Sequence, residues 1–172
     1  MLISEEYRAL NAQLHKDRPD YGRLGHKWSQ HIRHIAKQFN VVTVLDYGCG
    51  KQTLSEAMPA YFVHNYDPAI PGLDEPPPPS DLVVCTDVLE HIEPDCLDDV
   101  LNDLREKTKV ACFLVVNCIP ASKTLADGRN AHLIQQDYHW WLPRLWDRWR
   151  MVGYTGRIEP SRTIEFVFVG TP

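Results

Sequence analysis

The stretch from residue 41 to residue 55, VVTVLDYGCGKQTLS, constrains the fold of this chain more than any other segment. Residues 41–45 are mostly apolar and β-branched, which is typical of a strand buried on both faces of a parallel sheet. Asp46 ends this strand, and Gly48 and Gly50 allow a sharp turn and a close approach of the backbone to a ligand. A helix follows, whose first N–H groups can bind a polar group. The segment therefore predicts a site for a small ligand with a positive charge or an amino group.

Strand and helix patterns alternate along the rest of the chain. The predicted strands cover residues 41–46, 61–66, 81–86, 110–118, 151–158 and 163–169, and the predicted helices cover residues 4–15, 28–39, 52–58, 95–107 and 135–150. This alternation indicates a doubly wound α/β fold with a mostly parallel sheet and a C-terminal antiparallel hairpin. The length fits one domain, residues 1–172, in which residues 1–40 form an N-terminal helical cap or lid.

Three segments follow one another in an informative order. Asp46 precedes the glycine turn, Asp67 ends a second apolar segment 21 residues later, and residues 81–92, DLVVCTDVLEHI, form a strand and an acidic loop. In this order they resemble the motifs of class I S-adenosylmethionine (SAM)-dependent methyltransferases, over roughly residues 41–119. The resemblance implies a Rossmann-like fold and SAM as the cofactor.

The resemblance also implies which residues hold the cofactor. Asp67 would accept hydrogen bonds from both ribose hydroxyls, and Asp46 would orient the methionine amino group. The implied cofactor contacts are Asp46, Gly48, Gly50, Gln52, Asp67, Pro68, Asp87, Val88 and Leu89. Two other interpretations stay open: Asp67 as a residue that caps the turn before Pro68, and Asp46 as an acid that bonds the turn amides.

The chain departs from the family pattern at two places. Gln52 stands where a third glycine is usual, so either the turn is reshaped or the Gln52 side chain makes a polar contact near the methionine end of the cofactor. Residues 68–79, PAIPGLDEPPPP, are too few for a crossover helix and a strand, and the four prolines at 76–79 exclude both. We therefore predict that the usual third strand is missing, and that the adenine edge is either open or covered by the N-terminal helices.

Polar residues in three loops are candidates for the acceptor side. Histidine accepts protons near neutral pH, so His132 and His91 are the candidate catalytic residues. The candidate substrate contacts are Arg129, Asn130, His132 and Tyr21. Tyr21 is included because its loop carries two glycines and can serve as a flexible lid. His91 as a structural residue, and the Tyr21 loop as an ordinary connector, stay open as alternatives.

Composition narrows the partners and the compartment. The formal net charge of −5 predicts no broad basic face for duplex DNA. No apolar run approaches the length of a membrane span, so no membrane partner is expected. The five cysteines form no C-x-x-C pair, which favours reduced thiols in the cytoplasm. We predict no metal site, and the sequence gives no indication of the oligomeric state.

The favoured function is transfer of a methyl group from SAM to a small-molecule or nucleotide-like acceptor. An RNA methyltransferase and a non-catalytic SAM-fold binding protein stay open as alternatives. A dinucleotide-dependent oxidoreductase is disfavoured because Thr53 replaces the last glycine of a G-x-G-x-x-G pattern. The sequence of residues 86–89, TDVL, disfavours the enzymes that methylate amino groups of DNA bases, which carry a different motif there.

Overall fold

Six strands form one sheet in the computed structural model, which describes residues 1–160 and 162–172. The strands are β1 (Thr43–Tyr47), β2 (Phe62–Tyr66), β3 (Ser80–Thr86), β4 (Thr108–Asn117), β5 (Arg150–Glu159) and β6 (Arg162–Thr171). Their order across the sheet is β2-β1-β3-β4-β6-β5. The first four strands in this order are parallel, whereas β6 and β5 pair antiparallel. The predicted mostly parallel sheet with a C-terminal hairpin is confirmed.

Helices cover both faces of the sheet. They are α1 (Glu5–Asp17), α2 (Ser29–Gln38), α3 (Thr53–Ala57), α4 (Leu97–Lys107) and α5 (Tyr138–Trp146), with 3₁₀ turns at Gly25–Trp28, Leu89–His91 and Pro94–Cys96. Leu45 and Val83 belong to the core under α4 and α5. Their neighbours Val44 and Leu82 belong to the core under α2 and α3. Because successive side chains of a strand point to opposite faces, β1 and β3 are buried on both sides.

Side-chain caps set where two of the helices begin. Ser4 Oγ accepts the N–H of Tyr7 at 3.1 Å, which starts α1 where the sequence predicts it. α5 is shorter than the predicted helix over residues 135–150, because Asp137 Oδ1 accepts the N–H of His139 at 2.9 Å and caps the helix there. None of the helices in the described part of the chain has the length and hydropathy to cross a membrane.

The connection between β2 and β3 contains neither helix nor strand, and all its residues, 67–79, are described. The N–H of Asp67 donates to Leu73 O at 2.8 Å, and the N–H of Ile70 donates to Asp67 O at 3.2 Å. The segment therefore folds as consecutive turns. The usual third strand is missing, as predicted, and β2 forms one edge of the sheet.

The N-terminal segment divides into two parts with different packing. Tyr7 Oη donates to His91 O at 2.5 Å, and the N–H of Lys51 donates to Gly22 O at 2.8 Å, so α1 and the loop after it lie over the carboxyl ends of the strands. α2 instead packs on a face of the sheet, where Ile32 is fully buried. The covering segment is therefore residues 1–24, which is shorter than the predicted cap of residues 1–40.

Candidate active site

The turn after β1 lies where the strand order of the sheet changes direction, which is the usual position of a ligand in such folds. The N–H of Gly48 donates to Tyr66 O at 2.7 Å. A side-chain carbon on Gly48 would lie 2.4 Å from Val88 Cγ2, and one on Gly50 would lie 2.5 Å from Gly22 O. Both glycines also have positive φ, 78° and 51°. Only glycine fits at either position, because any side chain would collide with Val88 or with the Gly22 backbone that packs against the turn.

Asp46 presents a buried carboxylate beside this turn. The residue is 3% exposed, and its Oδ2 has no hydrogen-bond partner among the described residues. Burial, and then the neighbouring carboxylate of Asp67, raise the pKa of Asp46 to about 7. A buried carboxylate oxygen without a donor is costly, and a positively charged donor would relieve that cost. The residue therefore fits the amino group of a SAM-like cofactor.

Asp67 already bonds the backbone around it. Its Oδ2 accepts the N–H of Gly50 at 3.1 Å, and its Oδ1 accepts the N–H of Ala69 at 3.0 Å. His15 Nε2 lies 3.8 Å from Oδ2, and burial lowers the pKa of His15. A carboxylate has about four acceptor sites, so these bonds leave capacity for a ligand. Asp67 thus caps the turn and also faces the site.

A narrow pocket follows Asp67 toward α1. One wall consists of residues 67–69 after β2, and the opposite wall includes Val88 and Ile92 after β3. The residues that close it from above are Ile3, Tyr7 and Asn11 of the N-terminal segment. The side of the site that the missing strand would otherwise border is therefore covered by α1.

A larger cleft of about 480 Å³ opens on the other side of the turn. Asp46, Asp87 and Asn117, at the ends of β1, β3 and β4, line its base. Most of its other wall residues come from three regions: the segment 20–27, the segment 119–132, and Arg157 with Glu165 of the C-terminal hairpin. The pocket and the cleft share Tyr21, Gly22, Gly48, Asp87 and His91, so they form one continuous site.

Two histidines and a glutamate meet beside this cleft. The His91 and His132 rings are 4.7 Å apart and nearly perpendicular, and His132 Nε2 lies 4.0 Å from Glu90 Oε1. His132 Nδ1 donates to Ile119 O at 2.5 Å, which leaves Nε2 as an acceptor. Burial lowers the pKa of His91 to about 3 and also lowers the pKa of His132. Burial raises the pKa of Glu90 well above its usual range.

Two predicted acceptor contacts lie outside the cleft. Arg129 is paired with Asp127 at 2.6 Å on the surface. Asn130 Oδ1 accepts the N–H groups of Ala121 and His132 at 3.0 and 2.9 Å, so it shapes the loop that carries His132. Neither side chain lines the cleft, because hydrogen bonds within the loop occupy both, and their contact with an acceptor stays a prediction.

Two residues predicted to contact the cofactor, Gln52 and Leu89, have side chains that make contacts within the fold. Gln52 takes a left-handed conformation, φ 60°, and its Oε1 accepts from Asn65 at 3.2 Å. The turn therefore keeps its shape without the third glycine, and the Gln52 side chain lies outside the site. The Leu89 side chain is fully buried in the core under α4 and α5 and lines neither cavity.

Several residues of the cleft carried weak signals in the sequence. Glu165 interrupts the apolar run of β6, and a charged residue within a buried strand can indicate a functional site. Lys27 pairs with Glu165 at 3.1 Å across the cleft. Asn117 and Arg157 carried no signal, because only the pairing of β4, β6 and β5 brings them to this edge.

This sheet, with its glycine turn and switch-point site, is the fold of SAM-dependent methyltransferases. A scan against family models and a search of curated protein sequences return no match. Among solved structures, the chain is similar to 1,6-didemethyltoxoflavin-N1-methyltransferase of Burkholderia thailandensis, which was solved with 1,6-didemethyltoxoflavin and S-adenosylhomocysteine (SAH) bound. The TM-score is 0.67 at 12% identity, over 99% of this chain and 91% of that one.

Two further solved structures support the same fold. A SAM-dependent methyltransferase of Archaeoglobus fulgidus gives a TM-score of 0.60 at 13% identity, over 86% of this chain and 94% of that one. Magnesium protoporphyrin IX methyltransferase of Synechocystis PCC 6803, with SAH bound, gives 0.56 at 17% identity, over 86% and 83%. At these identities the likeness concerns the fold, and the resemblance inferred from the motifs is confirmed at that level.

Proposed function

We propose that the chain is a SAM-dependent methyltransferase that acts on a small molecule with an anionic, nucleotide-like group. The observation that carries this proposal is the buried, unpartnered Oδ2 of Asp46 beside a turn that accepts only glycine. Structural neighbours with SAM or SAH bound support the same cofactor.

In this proposal the cofactor occupies both parts of the site. Asp67 would bind the ribose hydroxyls with its remaining acceptor sites, and Pro68 and Val88 would contact the adenine in the narrow pocket. Asp46 would bind the methionine amino group at the base of the larger cleft. Asp87 lines both cavities and would lie beside the methionine part.

SAM, when bound, supplies a methyl group on a positively charged sulfur, so the protein has to bind, orient and deprotonate the acceptor. His132 Nε2 is the proposed proton acceptor, because its ring is fixed by the Nδ1 bond to Ile119 O. A pKa of about 3 makes His91 a much weaker base, so His91 would orient the acceptor rather than take its proton. Residues 1–24 would exclude water from the bound cofactor.

Charges around the cleft support a small anionic acceptor. Lys27 is paired with Glu165, and Lys123 with Asp20. The two other basic residues of the lining, Arg23 and Arg157, are exposed and available to a phosphate or carboxylate group. An RNA would favour a continuous basic track. The lining instead balances four acidic residues, Asp20, Asp46, Asp87 and Glu165, against four basic ones, Arg23, Lys27, Lys123 and Arg157.

Calorimetry with SAH tests the cofactor half of the proposal. Asp67→Ala should weaken SAH binding about tenfold to a hundredfold, because a charge-assisted contact to the ribose is lost. Asp95→Ala, at an exposed aspartate that lines neither cavity, is the matched control and should bind as the wild type does. Equal SAH affinity in Asp67→Ala and the wild type would contradict the assignment of Asp67.

Release of SAH from SAM tests the acceptor half. The wild type is assayed with nucleotides, with the same nucleosides lacking phosphate, and with short RNA oligonucleotides. Turnover should depend on the anionic group. Turnover on RNA alone would favour the RNA methyltransferase. SAH binding without turnover on any acceptor would favour the non-catalytic binding protein.

A further inference from the structure

Three side chains from two loops converge beside the larger cleft. Glu90 and His91 follow β3, His132 follows β4, and one ligand atom from each lies within 4.8 Å of the other two. Glu90 is fully buried; its Oε1 accepts the N–H of Asn117 at 3.1 Å, and its Oε2 has no partner among the described residues. A buried carboxylate with a free oxygen needs a donor or a cation close to it.

Hydrogen bonds within the cluster do not supply that partner. The 4.0 Å between His132 Nε2 and Glu90 Oε1 is too long for a hydrogen bond. His91 Nδ1 lies 3.5 Å from Tyr21 Oη, a weak contact at most. The three groups therefore face one another with unused electron pairs, and both histidines also line the cleft.

We infer that Glu90, His91 and His132 bind a divalent metal ion. One carboxylate and two imidazoles form a set of ligands that suits first-row transition metals. The bond from His132 Nδ1 to Ile119 O orients the ring and leaves Nε2 to the metal, as backbone carbonyls do for metal-bound histidines. For metal–ligand distances of about 2.1 Å, each of the three side chains has to move roughly 1 Å toward the ion.

The sequence predicted no metal site, because its ligands are not a contiguous motif. Glu90 and His91 are adjacent, but His132 lies 41 residues after His91. The Glu90 backbone joins the two loops, since Glu90 O accepts the N–H of Ile134 at 2.9 Å. The site thus depends on tertiary packing between the segments after β3 and β4.

The role of this ion rests on the proposed methyltransferase function. An ion held by these residues would lie at the cleft wall, within reach of an acceptor bound in the cleft. It would bind a hydroxyl oxygen of the acceptor and lower the pKa of that hydroxyl. Because His132 Nε2 would then be a ligand of the ion, the proton would pass to water, and this metal-bound route replaces the role of His132 as proton acceptor. The resulting oxygen anion then attacks the methyl carbon, and the oxygen–carbon bond forms as the sulfur–carbon bond breaks. The acceptor class is therefore a hydroxyl compound.

Metal binding is measured without the cofactor. Chelator-treated protein is titrated with Mn²⁺, Zn²⁺ and Mg²⁺, and Co²⁺ is added to record visible absorption of a bound ion. The wild type should bind one transition-metal ion per chain, and Glu90→Gln and His132→Ala should weaken binding by more than about tenfold. His139→Ala, whose ring is 72% exposed on α5, is the matched control and should bind the ion as the wild type does.

The outcomes separate the metal site from the proposed function. No stoichiometric metal binding by the wild type, or equal affinity in Glu90→Gln, overturns the inference. Melting curves check that each variant folds. If His132→Ala does not fold, the metal affinity of Glu90→Gln alone tests the inference, because glutamine keeps an acceptor for the N–H of Asn117. SAH affinity is measured in EDTA on the same samples: SAH binding without metal binding overturns only the metal site. Metal binding without SAH binding supports the metal site and contradicts the methyltransferase. Turnover that EDTA leaves unchanged overturns the role of the ion in the reaction.

Discussion

The substitution Asp46→Asn separates the two interpretations of the acid beside the glycine turn. If the buried carboxylate serves to bind a cofactor, it destabilises the ligand-free protein, and replacing it with asparagine should stabilise the fold. If the carboxylate stabilises the turn, asparagine should destabilise the fold. The unpartnered Oδ2 of Asp46 favours the first result.

The expected magnitude follows from the raised pKa of Asp46. In the folded protein this pKa rises from 3.8 to about 7. A shift of about three units corresponds to about 4 kcal/mol of destabilisation when the group is fully ionised. This destabilisation is absent below the unfolded pKa, grows between about pH 4 and pH 7, and is constant above that. Between pH 5 and pH 8 the wild type should therefore lose roughly 2.5 kcal/mol of stability relative to Asp46→Asn.

Urea unfolding of both proteins at pH 5 and pH 8 measures this difference. Comparing the two proteins at each pH cancels the contributions of other titrating groups, such as His15 and Asp87. SAH should stabilise the wild type more than the variant, since the charged contact to the amino group is worth about 1.5–3 kcal/mol. A variant that is less stable than the wild type at pH 8, with unchanged SAH affinity, would refute the reasoning.

Four further substitutions test other parts of the site. Gly50→Ala should cost about 1–3 kcal/mol in urea unfolding, because of its positive φ and the 2.5 Å approach to Gly22 O; wild-type stability would contradict this. Tyr7→Phe removes the bond to His91 O and should cost about 1 kcal/mol in melting experiments while weakening SAH binding; unchanged SAH affinity would mean that α1 does not cover the cofactor. Arg157→Ala should raise KM for an anionic acceptor in steady-state assays and leave SAH affinity unchanged, and an equal KM would exclude this contact. His132→Ala should lower kcat by roughly 10²–10⁴-fold with SAH affinity nearly intact, whereas an unchanged kcat would remove His132 from the reaction.

The parts of the fold that local sequence determines were predictable. The strand, turn and helix around Gly48 and Gly50 follow from an apolar run and from backbone conformations that only glycine adopts easily. The missing third strand follows from the short connection and from the prolines at 76–79, whatever the rest of the chain does. In both cases the physical constraint acts within about a dozen residues.

The acceptor side depended on contacts between distant segments, and prediction there was poorer. Arg129 and Asn130 are polar residues in the expected loop, but hydrogen bonds to Asp127 and Ala121 occupy them. A sequence shows that a loop is polar without showing which of its side chains its own backbone uses. The position of Glu90 likewise depends on Asn117 at the end of the neighbouring strand, whose N–H its Oε1 accepts.

The missing third strand and the position of α1 are related, because the N-terminal segment covers the side of the site that the strand would otherwise border. The turns at residues 67–79 form one wall of the narrow pocket through residues 67–69, and the N-terminal segment covers the pocket through Ile3, Tyr7 and Asn11. Tyr7 bonds the backbone of His91, so the element that covers the pocket is attached to the loop that carries Glu90 and His91, two of the proposed metal ligands. The Gly22 carbonyl also accepts the N–H of Lys51, directly after the glycine turn. Because the Gly22 backbone packs against Gly50 in that turn, we expect exchange of a cofactor bound there to be coupled to opening of residues 1–24.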